Sequence, residues 1–102
     1  MRRVLLIAVA VLLACATHKK AGDRAAAIGD WKAAVVEYRE AVKRKPNDPE
    51  TKAKYEKAKE EAYMQSMTRA GRCLEDKDFE CASSESEYAA TLDDGTTEAR
   101  AL

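Results

Sequence analysis

The chain is poor in the residues that punctuate or specialise a fold. Its 102 residues include two prolines, four glycines, one histidine, one tryptophan and one phenylalanine. So little Gly and Pro excludes collagen-like and low-complexity classes. No run alternates Val, Ile, Thr or aromatic residues with polar ones, so no sheet is expected. A phosphate-binding Gly-rich loop, a nucleophile elbow and a zinc signature are all missing. The single histidine, His18, has no companions at ligand spacing, so no metal, cofactor or catalytic residue is assigned. The acids Glu85, Glu87, Asp93 and Asp94 form no pair whose spacing supports acid–base chemistry.

What the chain does have is Ala, Glu, Lys and Arg, the composition of helices. Its length bounds it to one domain, and a small one. Net charge is zero but unevenly spread. From Lys19 to Lys59 there are 12 basic and 7 acidic residues; from Glu60 to Leu102 there are 4 basic and 11 acidic. The plain reading is two solvated surfaces of opposite sign. The sharper one sets the basic half near anionic headgroups or an acidic partner. Basic and aromatic residues do not interleave, which argues against nucleic acid.

The N-terminus carries an address. Arg2 and Arg3 precede eleven unbroken apolar residues, Val4 to Ala14. A membrane span needs about 20, so this is the profile of an export signal over residues 1–14. The segment Leu12-Leu13-Ala14-Cys15 resembles the bacterial lipobox, although Leu13 is larger than the residue usual there. That resemblance implies diacylglyceryl attachment at Cys15, a lipid-modified (palmitate-type) anchor, and a periplasm-facing membrane protein. Ala16, rather than Asp, then favours the outer membrane. Ordinary cleavage after Ala16, at the small-x-small site Ala14-Cys15-Ala16, is the competing reading, and a buried structural Cys15 is a third.

Four helices can be read after the signal: Thr17 to Ile28, Trp31 to about Lys45, Pro49 to about Glu75 and Asp78 to about Leu92. Gly29-Asp30 stops the first. The second carries an apolar stripe of Trp31, Ala34, Val35, Tyr38, Ala41 and Val42. Pro46-Asn47-Asp48-Pro49 breaks the chain again, with Asp48 as N-cap and Pro49 at the first helical position. The third helix presents Tyr55, Ala58, Ala62 and Ser66, flanked by Tyr63, Met67, Ala70 and Leu74, with Gly71 as its weak point. The fourth places Phe79, Ala82, Ser86 and Ala89 inward. Asp93-Asp94-Gly95 ends it, and Thr96 and Thr97 cap a final turn. His18 belongs to a flexible tether. Trp31, Tyr38, Tyr55 and Phe79 are expected in the core.

One pattern occurs twice. Gly22, Ala25, Gly29, Asp30, Trp31, Ala34, Tyr38, Ala41 and Pro46 return 48 residues later as Ala70, Cys73, Lys77, Asp78, Phe79, Ala82, Ser86, Ala89 and Asp94. Small residues let paired helices approach closely, and aromatics fill the space between. The first copy, about 15–48, resembles the tetratricopeptide repeat; the second, about 63–96, resembles it more weakly, lacking the turn Gly, the Tyr and the Pro. The family's 34-residue period is exceeded by 14 residues, Pro49 to Ala62, which lengthen the third helix. The resemblance implies an all-α fold of two antiparallel hairpins over residues 15–102. A lipobox followed by such repeats is also similar to the N-terminal part of secretin- and pilus-associated lipoproteins.

Cys73 and Cys81 flank the second turn. An export address makes a disulfide the leading reading, with buried free thiols and metal or redox chemistry as alternatives. Lys43-Arg44-Lys45 complements the dipole at the end of the second helix, or meets phospholipid or cell wall. The expected function is a non-enzymatic protein–protein interaction scaffold, membrane-anchored through lipid, in cell-envelope or secretion and pilus assembly. Its partner is unnamed and self-association is open to it. The rival expectation is a structural envelope lipoprotein, or a shortened relic of a secretin-like protein, with no peptide-binding groove.

Overall fold

The computed structural model describes residues 17–92, and all of its regular structure there is helical. Helix α1 covers 17–27. It is followed by α2 (Trp31–Arg44), α3 (Pro49–Glu75) and α4 (Phe79–Thr91). The protein is all-α, as composition and periodicity foretell. Cys15, the expected export segment 1–14, Asp94 and the expected capping turn at Thr96 and Thr97 lie outside the described residues.

Two turns are built alike, and local chemistry explains both. At the first, the Asp30 N–H donates to the Ala25 carbonyl at 2.9 Å and the Gly29 N–H to Ala26 at 3.0 Å. This double bond closes a helix only if its penultimate donor adopts a left-handed conformation, and Gly29 does so at φ 75°. Asp30 then accepts from the Ala33 N–H at 3.2 Å, capping α2. At the second turn Asp78 donates to Cys73 at 2.8 Å and Lys77 to Leu74 at 3.0 Å. Asp78 accepts from Cys81 at 3.1 Å. Each of these five positions lies 48 residues beyond its counterpart, from Ala25 to Cys73 through Ala33 to Cys81. Lys77 takes the left-handed conformation at φ 59° without the freedom of glycine, a strain of about 1–2 kcal/mol.

The third junction works differently. Asp48 accepts from the Thr51 hydroxyl at 2.7 Å and from the Glu50 N–H at 3.3 Å. Its carbonyl takes the Lys52 N–H at 3.1 Å, the first turn of a 27-residue helix. Pro49 opens α3, where a missing N–H costs nothing.

The chain divides into two compact units, Met1–Ala58 and Lys59–Leu102, the division falling inside α3. In unit 1 the buried side chains are Ala34, Val35, Tyr38, Ala41, Thr51 and Ala58; in unit 2 they are Ala62, Ser66, Ala70, Ala82, Ala89 and Leu92. Alanine dominates both interiors, so the helices owe their packing to close approach rather than to bulky side chains.

Three expectations need correcting. His18 is not in a tether but within α1, its Nδ1 2.7 Å from Glu37 Oε2. Phe79, expected in the core, is 68% exposed, and Ser86 is exposed as well. The inward side of α4 runs instead through buried Ala82 and Ala89 and half-buried Cys81, Glu85 and Tyr88, with buried Leu92 just past its end. The link from Cys81 to Cys73 turns that side of the helix toward α3, which rotates Phe79 and Ser86 outward. Met67 and Leu74, expected beside the buried line of α3, are likewise exposed.

Two sites on α3 are poorly suited to their surroundings. The Ser66 hydroxyl is buried with no hydrogen-bond partner, which costs about 1–3 kcal/mol. Gly71 is exposed, and an added Cβ would meet nothing within 4 Å. Ser66→Ala and Gly71→Ala should each stabilise the protein by about 1 kcal/mol, read as a thermal midpoint several degrees higher. A lower midpoint for Gly71→Ala would show that this stretch of α3 is not the exposed helix described.

Candidate functional site

Unit 1 is organised around one polar node. Gly22 lies buried on α1 with the Tyr38 ring of α2 against it; a Cβ built on Gly22 would stand 2.5 Å from the ring. That approach carries the Tyr38 hydroxyl to Asp23 Oδ1, to which it donates at 2.5 Å. The same carboxylate oxygen accepts from Lys54 Nζ of α3 at 2.9 Å. One turn away, Lys19 pairs with Glu50 at 3.1 Å. Both cross-helix ion pairs join residues 31 apart, so α1 and α3 run parallel in this unit. Arg39 adds a bond from Nε to the Tyr55 hydroxyl at 3.3 Å.

The electrostatics follow from that geometry. Partial burial pushes the Asp23 carboxyl up, but the hydrogen bonds from Tyr38 and Lys54 and the charges of Lys54 and Lys19 outweigh it. The net effect holds Asp23 below its ordinary value. Burial first, then the bond to Asp23 and its charge, pushes the Tyr38 phenol well above its ordinary value. The phenol therefore stays protonated and serves as a donor rather than a base. The hydrogen bond to Asp23 raises Lys54 despite opposing desolvation. Asp48 is lowered chiefly by the Thr51 hydroxyl, and Glu50 chiefly by Lys19.

The residues picked out by the repeat are distributed as follows. Gly22, Ala34, Tyr38 and Ala41 meet in the interior of unit 1, with Trp31 half-buried at the head of α2. Gly29 sits in the turn and Pro46 on an exposed loop. In unit 2, Ala82 and Ala89 are buried, while Phe79 is not. Cys73 and Cys81 are placed for a disulfide, their Cα atoms 5.8 Å apart and their sulfurs within bonding distance. Closing so short a loop contributes about 2–3 kcal/mol. Beside it Arg69 reaches Glu85 at 3.2 Å, covering a carboxylate whose side chain is only 12% exposed.

Sequence reasoning missed the node entirely. Asp23 and Lys54 are far apart in the chain, and no local pattern pairs them. Among the described residues no cluster of His, Cys, Asp and Glu is placed to hold a metal ion. No described helix is long and apolar enough to cross a membrane. No family model, curated protein or solved structure matches the chain.

Unit 2 carries four large apolar side chains at its surface. Met64, Met67 and Leu74 are 58%, 42% and 55% exposed, and Phe79 is the most exposed of the four. Met64, Met67, Gly71 and Leu74 follow helical spacing along one side of α3, apart from the buried line Ala62, Ser66 and Ala70.

The shifted groups dictate a pH dependence. Asp23, Asp48 and Glu50 hold their protons less tightly in the folded chain, so the stability they provide is complete above about pH 5 and is lost as pH falls through their lowered values. Tyr38 and Lys54 hold theirs more tightly, so their contribution is complete below about pH 10 and is lost above it. Asp23 takes part in both limbs. Urea unfolding across pH should give a flatter profile for Asp23→Asn than for the wild type. An unchanged profile would remove Asp23 from the centre of the network.

Proposed function

We propose that this chain is a non-enzymatic interaction module of a bacterial cell envelope, tethered by lipid at Cys15 and built of tetratricopeptide-like hairpins. One observation carries the reading. Among the described residues, unit 2 buries Ala62, Ala70, Ala82, Ala89 and Leu92 and leaves Met64, Met67, Leu74 and Phe79 in water. Folding alone favours the opposite arrangement, at roughly 25 cal/mol per Å² of apolar surface. Met64, Met67 and Leu74 lie along one side of α3, and exposed large apolar residues of this kind are what a partner protein covers. Methionine suits such a surface, because its flexible side chain adapts to the shape presented.

The repeated turn supports the repeat reading, since the same three backbone and capping bonds recur 48 residues apart. The small residues at the helix contacts of unit 1 support it too. The disulfide-spaced pair Cys73 and Cys81 fits an oxidising compartment. The Lys43-Arg44-Lys45 run and the export-like N-terminus fit a chain delivered to a membrane surface. Tyr38, Asp23 and Lys54 are bonded to one another and so join three helices.

Two measurements test the proposal. A photo-crosslinking residue placed at Met67 in cells should yield a discrete adduct with another envelope protein, whereas one at Lys57 should not. No adduct from Met64, Met67 or Phe79 would contradict the interaction role. Mass spectrometry of the mature protein should show an acylated Cys15 as its first residue. An unmodified start at Thr17 would contradict the anchor.

A further inference from the structure

The fold gathers positive charge at one end of unit 1. The turn at Gly29 reverses the chain, so α2 runs back along α1, while the ion pairs Lys19–Glu50 and Asp23–Lys54 set α3 parallel to α1. The start of α1, the end of α2 and the start of α3 therefore share one end. Lys19, Lys20, Lys43, Arg44, Lys45 and Lys52 are all found there.

The acids at that end are already engaged. Glu40 pairs with Lys43 at 3.2 Å. Glu50 lies between Lys19 and Lys54, at 3.1 and 3.6 Å. Asp48 caps α3. Lys20, Arg44 and Lys52 are exposed and belong to none of these ion pairs, and exposed Lys45 acts on Asp48 through its charge alone. The loop joining α2 to α3 forms a shallow groove lined by Arg44, Lys45, Pro46, Asn47 and Asp48.

Helix electrostatics explain only part of this. Lys43 and Arg44 complement the negative end of the α2 dipole. Lys52 lies in the opening turns of α3, where the dipole disfavours a cation. It is poorly placed for stabilising its own helix and well placed for an anion outside the protein.

Position selects which anion. Cys15 stands two residues before Thr17 in the sequence. By helical rise, Arg44 extends about one turn beyond the level of Thr17. On the lipid-anchor reading, the membrane that holds Cys15 is within two residues of chain from this charged end, about one Debye length. We propose that this end of unit 1 docks on a surface of anionic phospholipid headgroups, its lysines and arginine meeting phosphate oxygens. The inference rests on the lipid-anchor reading for its geometry, but its charge chemistry can be measured separately.

The test uses the mature protein purified from bacterial membranes. It is mixed with vesicles of phosphatidylcholine alone, or of phosphatidylcholine containing phosphatidylglycerol, and floated. Lysines are then briefly acetylated and read by mass spectrometry. On anionic vesicles, labelling at Lys20, Lys45 and Lys52 should fall by roughly fivefold relative to neutral vesicles. Labelling at Lys77 should not change, and about 1 M salt should abolish the difference. Equal labelling on both vesicle types, or an equal fall at Lys77, overturns the proposal. So does protection on native membranes that neither vesicle type reproduces, which would assign the surface to an acidic protein. Flotation with neutral vesicles reports the anchor alone. A chain that fails to float there yet is protected on anionic vesicles refutes the lipid at Cys15 and retains the charged surface.

Discussion

Unit 1 depends on the contact between the Tyr38 ring and the bare backbone of Gly22. No other residue at position 22 leaves room for the ring where it stands. The contact sets the spacing of α1 and α2, and it delivers the phenol to Asp23. Asp23 in turn fixes Lys54, and with it the register of α3. The Lys19–Glu50 pair and the position of the basic end follow from that register. A steric fact about one glycine thus decides where six cations meet.

Unit 2 repeats the turn but not the node. The position corresponding to Tyr38 is Ser86, which is exposed, and the one corresponding to Gly22 is Ala70. The cross-helix links are instead the Cys73–Cys81 pair and Arg69–Glu85. Covalent closure near the turn fixes the facing side of α4, a role that aromatic packing fills in unit 1. The freed aromatic, Phe79, is then available at the surface.

Helix limits were legible because they are local. Gly29, Asp30, Asp48 and Asp78 act through hydrogen bonds to residues within five positions, and composition reveals them directly. The stripe of α2 was legible because Trp31, Val35 and Tyr38 give the helix a clear apolar side. The facing side of α4 was not, since a helix of Ala, Ser and Glu has weak apolar contrast, and the repeat pattern pointed to Phe79 and Ser86. Asp23 escaped notice for another reason: its partners lie 15 and 31 residues away, beyond any periodic pattern. His18, assigned to a tether, lies inside the first helix, whose expected start at Thr17 already included it. The candidate partner surface was visible in the sequence only as residues expected beside a core. Their exposure depends on how alanine and cysteine pack α3 against α4.

The central claim is steric, and steric claims have a sign. Replacing Gly22 by Ala should gain about 1 kcal/mol from helix propensity wherever the added methyl has room. Against the Tyr38 ring the loss from overpacking, about 1–3 kcal/mol, should prevail. The decisive measurement is therefore the effect of Gly22→Ala on unfolding free energy in two backgrounds, wild type and Tyr38→Leu. The account predicts that the substitution destabilises the wild type and becomes neutral or stabilising once the ring is gone. The same loss in both backgrounds would contradict it.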